Sequence, residues 1–147
     1  MATAGFDVLW IETEHAPLTL ETVRNIVLAT RDLPAVPFVR LPVADTWQAK
    51  QALDAGVHGL VFPFVSTPAL ARTAAEACRY PPTGRRGSGA GLASSSWPEA
   101  DGYCDSADRN VVAAVIIEEA SALDCLDEIV STPGVDIVFV GTGDLSF

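Results

Sequence analysis

Five continuous apolar runs do most to limit what this chain can fold into: "FDVLWIE" at 6–12, "VPFVR" at 36–40, "HGLVFPFV" at 58–65, "VVAAVIIE" at 111–118 and "DIVFVG" at 136–141. None alternates apolar with polar. An antiparallel strand with one wet face would alternate, so these runs read as strands covered on both faces, the signature of a parallel sheet. Helical patterns separate them. Leu20 to Arg31 is one, and Thr46 to Ala55 is a second that stops at Gly56, a residue suited to the left-handed position after a helix. Thr67-Pro68 is an N-cap and first-turn pair opening a third toward Cys78, and Ala120 to Val130 makes a fourth.

Strand alternating with helix specifies β-α units, and strand starts about 25 to 30 residues apart match the repeat of a (β/α)₈ barrel. The interval from 65 to 111 is longer and holds "RYPPTGRRGSGAGLASSSWPEADGY". A stretch of that length inside a compact domain hides an element or carries function, and a short strand near Arg86–Ser88 is expected there. The fold class is therefore α/β: a partial TIM (β/α)₈ barrel of about six parallel strands, forming one domain over residues 1–147.

Polar residues fall where the apolar runs end: Glu12 and His15, Arg40, Glu118 and Asp144. The C-terminal rim of such a sheet is where α/β enzymes place their chemistry. Each residue also has a structural use, Asp144 in an Asx turn, Arg40 in an ion pair and His15 at a helix entry. Together they form a set. Glu118 and Asp144, on successive strand ends, offer hard oxygen donors suited to Mg²⁺ or Mn²⁺. His15, three residues after Glu12, supplies a base near neutral pH, and an arginine can stabilise a developing oxyanion. Metal, base and arginine are what enolate chemistry on a 2-oxo acid requires. His58, preceding an apolar strand, reads as structural. "GSGAGL" at 87–92 lacks the G-x-G-x-x-G spacing and does not follow a long strand, which excludes a dinucleotide loop.

Composition narrows the partners. A net charge of −10 opposes nucleic-acid binding. No run approaches the roughly 20 apolar residues that span a bilayer. Three scattered cysteines without C-x-x-C fit reduced residues of a cytoplasmic protein. Lys50 is the sole lysine and lies within a helical pattern rather than at a strand end, so a Schiff-base mechanism is not expected. Arg79, Arg85 and Arg86 form a local basic cluster that could attract an acidic substrate.

The stretches "GFDVLWIETEHAP", "VPFVRLP", "RYPPTGRRGSG", "VIIEE" and "GVDIVFVGTGDLSF", in that order, resemble the HpcH/HpaI aldolase/citrate lyase family. Within it they are most similar to metal-dependent aldolases of the 4-hydroxy-2-oxoheptanedioate and 2-dehydro-3-deoxyglucarate type. The resemblance implies a phosphoenolpyruvate/pyruvate-type barrel, homo-oligomeric at full length, that cleaves 4-hydroxy-2-oxo acids to pyruvate and an aldehyde with Mg²⁺, Mn²⁺ or Co²⁺. It implies Glu118 and Asp144 as metal ligands, His15 as base with Glu12 beside it, and Arg40 as the group that stabilises the enolate. Asp54 corresponds to an acid that raises the basicity of the histidine, and Gly143 with Asp144 to the backbone that holds the pyruvate carboxylate. The chain departs from the family at Glu12, usually aspartate, and at Ile116, usually a glutamine that contacts substrate. The resemblance also implies family chains of about 250 residues, the size of a complete barrel, so the chain is expected to be a fragment lacking β-α units at both ends. The second reading is accordingly an inactive barrel fragment that binds metal without efficient turnover.

Overall fold

The computed structural model describes residues 1–94 and 102–147. Five parallel strands form one sheet in chain order: β1 (Val8–Glu12), β2 (Val36–Arg40), β3 (Gly59–Phe62), β4 (Val112–Ile117) and β5 (Ile137–Val140). Helices α1 (Leu20–Thr30), α2 (Thr46–Asp54), α3 (Pro68–Ala77), α4 (Ala90–Ala93), α5 (Tyr103–Asn110) and α6 (Leu126–Val130) connect them. Every neighbouring pair is parallel, with Glu12 opposite Arg40 and Val61 opposite Ala114. No described helix is long and apolar enough to cross a membrane.

The sheet is strongly curled. Strands four places apart in a flat sheet would lie about 19 Å apart, from a spacing of about 4.8 Å. Yet the rings of Trp10 on β1 and Phe139 on β5 approach to 5.7 Å. Phe38, Val61, Ala114 and Ile116 pack on the inner face. The opposite face carries Ile11, Val39, Leu60, Phe62, Val115 and Ile117 against the helices, with Leu53, Val57 and Ile129 wholly buried. β3 and β4 are buried on both faces, which is why they are apolar throughout, whereas β1 and β5 leave Val8, Trp10, Ile137, Phe139 and Val140 exposed.

The helix signals act as their chemistry requires. The Thr19 hydroxyl accepts from the Thr22 N–H, Asp45 from the N–H groups of Trp47 and Gln48, and Thr67 from that of Leu70. Each satisfies donors that the first helical turn leaves unpaired. After α2, Gly56 has φ +97°, a conformation that a side chain would strain.

Two expectations need correction. Residues 86–88 form no strand, so the described residues hold five strands rather than six. Arg86 is buried there by its own side-chain contacts, and the segment Gly84–Gly89 packs instead of pairing. The 120–130 segment is not one helix: it begins as a 3₁₀ helix (Ala120–Cys125) and becomes α6 only at Leu126.

Candidate functional site

The strand ends bring one charged cluster to the C-terminal rim. Arg40, the last residue of β2, lies between β1 and β3, and its guanidinium reaches carboxylates from both sides. Its Nη1 is 3.5 Å from Glu12 Oε2, while Nη2 contacts Glu14 Oε2 and lies 3.2 Å from Glu118 Oε2. Three carboxylates therefore share one guanidinium. Glu118, immediately after β4, is buried despite its charge, and a buried carboxylate needs such partners. A further donor comes from the loop after β3, where the Phe64 N–H bonds Glu118 Oε1 at 2.8 Å. Phe64 reaches that position with φ +51°, a strain of about 1–3 kcal/mol for a bulky residue. Nothing in the sequence signalled it.

Glu12 serves the backbone. Its Oε1 accepts from the N–H of Glu14 at 2.7 Å and of His15 at 3.2 Å, closing the turn that follows β1. Burial pushes its carboxyl up, but these hydrogen bonds, with help from Trp10 and Arg40, outweigh burial and hold it below the ordinary glutamate value. Glu14 faces the opposite balance. Burial raises its carboxyl, Arg40 and His15 pull it down, and the neighbouring charges of Glu118 and Glu12 add to the rise. The imidazole Nε2 of His15 lies 3.6 Å from Glu14 Oε2, so the acid facing its ring is Glu14 rather than Glu12. Sequence reasoning passed over Glu14. Its period-two relation to Glu12 in "ETE" was the available signal, placing both acids on one side of an extended strand end.

The β5 end adds Gly141 to Asp144. Gly141 is required by close approach, since a Cβ there would come within 2.8 Å of Glu118 Cβ and 2.9 Å of its Oε2. The Glu118 carboxylate thus lies against the loop carrying Gly143 and Asp144. Among the described residues, the loop's backbone bonds use the N–H groups of Gly141, Thr142, Leu145 and Ser146, not those of Gly143 or Asp144. Asp144 opens a short 3₁₀ turn and is exposed. Ile116, one inward-facing position before Glu118, is buried against Phe38, Val61 and Ala114, so the floor beneath the cluster is apolar.

Asp54 is not brought to this cluster. It closes α2 at the opposite pole, where strands begin, and its Oδ1 is 3.3 Å from Nη2 of the buried Arg86. Arg86 also donates to the Tyr103 hydroxyl at 3.1 Å and stacks on Tyr80. Within this chain a helix running back along the sheet carries Asp54, its last residue, away from the rim and from His15. The arginine cluster is also at that pole and neutralised, with Arg79 on Asp136 and Arg85 on Glu76. Lys50 lies within α2, its Nζ 4.2 Å from the centre of the Trp47 ring.

No group of three or more His, Cys, Asp or Glu residues among the described residues forms a ready metal cage. The rim nevertheless fits a hard dication held only partly by protein. Its carboxylates outnumber its guanidinium, and Glu118 and Asp144 offer oxygen donors from adjacent strand ends.

The model of the HpcH/HpaI aldolase/citrate lyase family matches residues 1–147. A hydroxypyruvate/pyruvate aldolase of Roseobacter denitrificans is 39% identical over 147 residues, covering 99% of this chain and 57% of that protein. A 4-hydroxy-2-oxo-heptane-1,7-dioate aldolase of Escherichia coli is 42% identical, with 99% and 56% covered. Among solved structures, an HpcH/HpaI aldolase/citrate lyase family protein from Burkholderia cenocepacia superposes with a TM-score of 0.89 at 37% identity, covering 99% of this chain and 59% of that one. The chain spans about half the length of the curated relatives it matches.

Proposed function

The chain belongs to the HpcH/HpaI aldolase/citrate lyase family, and from that premise we propose that it carries the catalytic rim of a divalent-metal-dependent aldehyde-lyase. The substrate class is a 4-hydroxy-2-oxo acid, cleaved to pyruvate and an aldehyde. The observation that carries this reading is the partly buried cluster of Arg40 with Glu118, Glu14 and Glu12, with His15 beside it at the C-terminal rim.

Glu118 and Asp144 are the residues that would hold Mg²⁺, Mn²⁺ or Co²⁺. Such an ion would supply Lewis-acid polarisation of the 2-oxo group. The protein's own groups then divide the remaining work. The N–H groups of Gly143 and Asp144 would receive the substrate carboxylate. His15, exposed at the mouth, takes the proton of the 4-hydroxyl. The C3–C4 bond breaks, its electron pair passes into the enolate of pyruvate, and the aldehyde departs. Arg40 stabilises the charge on the enolate oxygen, and its three carboxylate contacts fix its position before substrate arrives. Protonation at C3 completes the cycle.

The experiment is deuterium exchange into pyruvate in D₂O with added Mn²⁺, followed by NMR, with calorimetric metal titration in parallel. Exchange that disappears with chelator and in Asp144→Ala supports the reading. Metal binding without exchange would select the second reading, a metal-binding fold without turnover. The exposure of Trp10, Ile137 and Phe139 on the outermost strands favours that alternative, because open edges loosen the rim residues they carry.

A further inference from the structure

The nine lysine and arginine residues all lie among the described residues, and they are unevenly placed. Arg40 alone stands in the segments that follow the strands at the C-terminal rim, namely 12–19, 40–45, 63–67, 118–119 and 141–147. Those segments carry six acids: Glu12, Glu14, Asp45, Glu118, Glu119 and Asp144. Six acids against one arginine leave the rim at −5 with His15 neutral, and at −3 with a dication bound. The other cations are engaged or placed elsewhere. Arg79, Arg85 and Arg86 pair with Asp136, Glu76 and Asp54, Lys50 lies over Trp47, and Arg24 donates to the Ala55 carbonyl. Arg31 follows α1 and Arg109 ends α5, both at the opposite pole, and Arg72 is exposed within α3.

Beside Glu118 the rim presents an aromatic residue instead. The Phe64 N–H bonds Glu118 Oε1 at 2.8 Å, and an N–Cα bond of about 1.46 Å then keeps the Phe64 Cα within about 4.3 Å of that oxygen. The next residue, Val65, is fully buried and its N–H bonds the Ile116 carbonyl at 3.1 Å, so the loop is pinned. Phe64 itself holds φ +51° and is 42% exposed. Strain that keeps a large apolar side chain in solvent beside a charged cluster has no packing reason within the chain, and such strain collects at ligand sites.

We infer that Phe64 is a specificity-determining residue of this site, and that the 4-hydroxy-2-oxo acid it selects has an uncharged, apolar tail. The aldehyde released is then neutral rather than a semialdehyde bearing a second carboxylate. The inference rests on the proposed site at Glu118 and Asp144 and narrows its substrate class. A 2-oxo acid held there has its tail within reach of the Phe64 ring. An apolar tail gains by covering that ring. A terminal carboxylate meets the excess of acids and finds no cation to receive it, since Arg40 already serves three carboxylates. Three unmatched charges at about 8 Å in water weaken the binding of an anion by roughly tenfold.

The test reads binding and needs no turnover. Two acids of equal length that lack the 4-hydroxyl, 2-oxoheptanoate and 2-oxoheptanedioate, are titrated by calorimetry into the chain with saturating Mn²⁺. Pyruvate, the core they share, is titrated beside them. The wild type is expected to bind 2-oxoheptanoate about tenfold more tightly than 2-oxoheptanedioate. Phe64→Ala is expected to weaken 2-oxoheptanoate about fivefold relative to pyruvate, by loss of the ring that the tail covers. Phe64→Arg keeps the N–H for Glu118 and adds a cation, and is expected to bring the two longer acids within about twofold of each other. A melting temperature checks folding, and Phe64→Gly, unstrained at positive φ, replaces Phe64→Ala where that variant does not fold. Equal binding of the two longer acids by the wild type overturns the inference and leaves the aldolase reading standing, as do variants that leave both ratios unchanged. A wild type that binds Mn²⁺ but no pyruvate refutes the aldolase reading and the inference with it.

Discussion

Replacing Arg40 with methionine tests the rim most directly, because the structure allows both the size and the pH dependence of the effect to be worked out. Methionine keeps most of the apolar stem and removes the charge. Glu118 and Glu14, both largely buried, then lose their cation. Removing one partner of a buried ion pair costs about 3–5 kcal/mol. Glu118 retains the Phe64 N–H at 2.8 Å, and Glu12 is partly solvated, which places the expectation at the lower end. A loss of about 3–4 kcal/mol lowers the melting temperature of a domain this size by roughly 6–16 °C. The sign with pH follows from Glu14. Burial already raises its carboxyl, and Arg40 is the largest influence pulling it down. Without Arg40 the folded-state value rises further, so the folded variant binds a proton more tightly than the unfolded chain. Stability contributed by such a group is present below the unfolded value of about 4.3 and is lost as pH rises through the folded value. Arg40→Met should therefore be destabilised more at pH 7.5 than at pH 5. Urea unfolding followed by circular dichroism at both pH values is the assay. A loss below about 1 kcal/mol, or one equal at both pH values, would show that Arg40 does not balance this cluster.

The sheet and the rim were legible because they follow from burial and chain direction. Apolar runs without alternation, separated by helical patterns, read as parallel strands, and parallel strands place their last residues at one rim, so Glu12, Arg40 and Glu118 converge. The missed features depend on geometry that residue types do not encode. Phe64 turns into a left-handed conformation that its sequence neighbours do not demand. Glu14 went unremarked in the sequence, because only the fold shows that Arg40 reaches it. Asp54, named by the resemblance, and Arg86, read as part of a substrate-attracting cluster, pair with each other at the opposite pole of this chain. The expected strand at 86–88 failed for the same reason, since a segment anchored by a buried arginine has no need of a sheet partner.

Further outcomes can be checked on the same protein. Gly141→Ala should displace the Glu118 carboxylate, since the new Cβ would sit 2.9 Å from its Oε2; calorimetry should show weakened Mn²⁺ binding with the fold retained. Borohydride with pyruvate should trap no adduct, because Lys50 lies within α2 over Trp47, and a mass increase at Lys50 would contradict the metal-enolate scheme. Burial pushes the Cys78 thiol up to about 12, so iodoacetamide at pH 8 should modify Cys104 and Cys125 well before Cys78, as read by peptide mass spectrometry. Asp54→Asn decides between two roles for that residue. If Asp54 tuned the histidine, the variant would alter proton exchange and the ¹⁵N-histidine NMR spectrum of His15 while leaving stability nearly intact. The structure gives it a different task, as the one carboxylate among the described residues that pairs with the buried Arg86. Asparagine keeps the shape but leaves that guanidinium without a counter-charge, which costs about 3 kcal/mol or more. The Tyr80 and Tyr103 rings and the Tyr103 hydroxyl remain to hold Arg86 in place. The expected result is thus a lower melting temperature with metal affinity and the His15 spectrum unchanged, and a stable variant with an altered His15 spectrum would refute this placement.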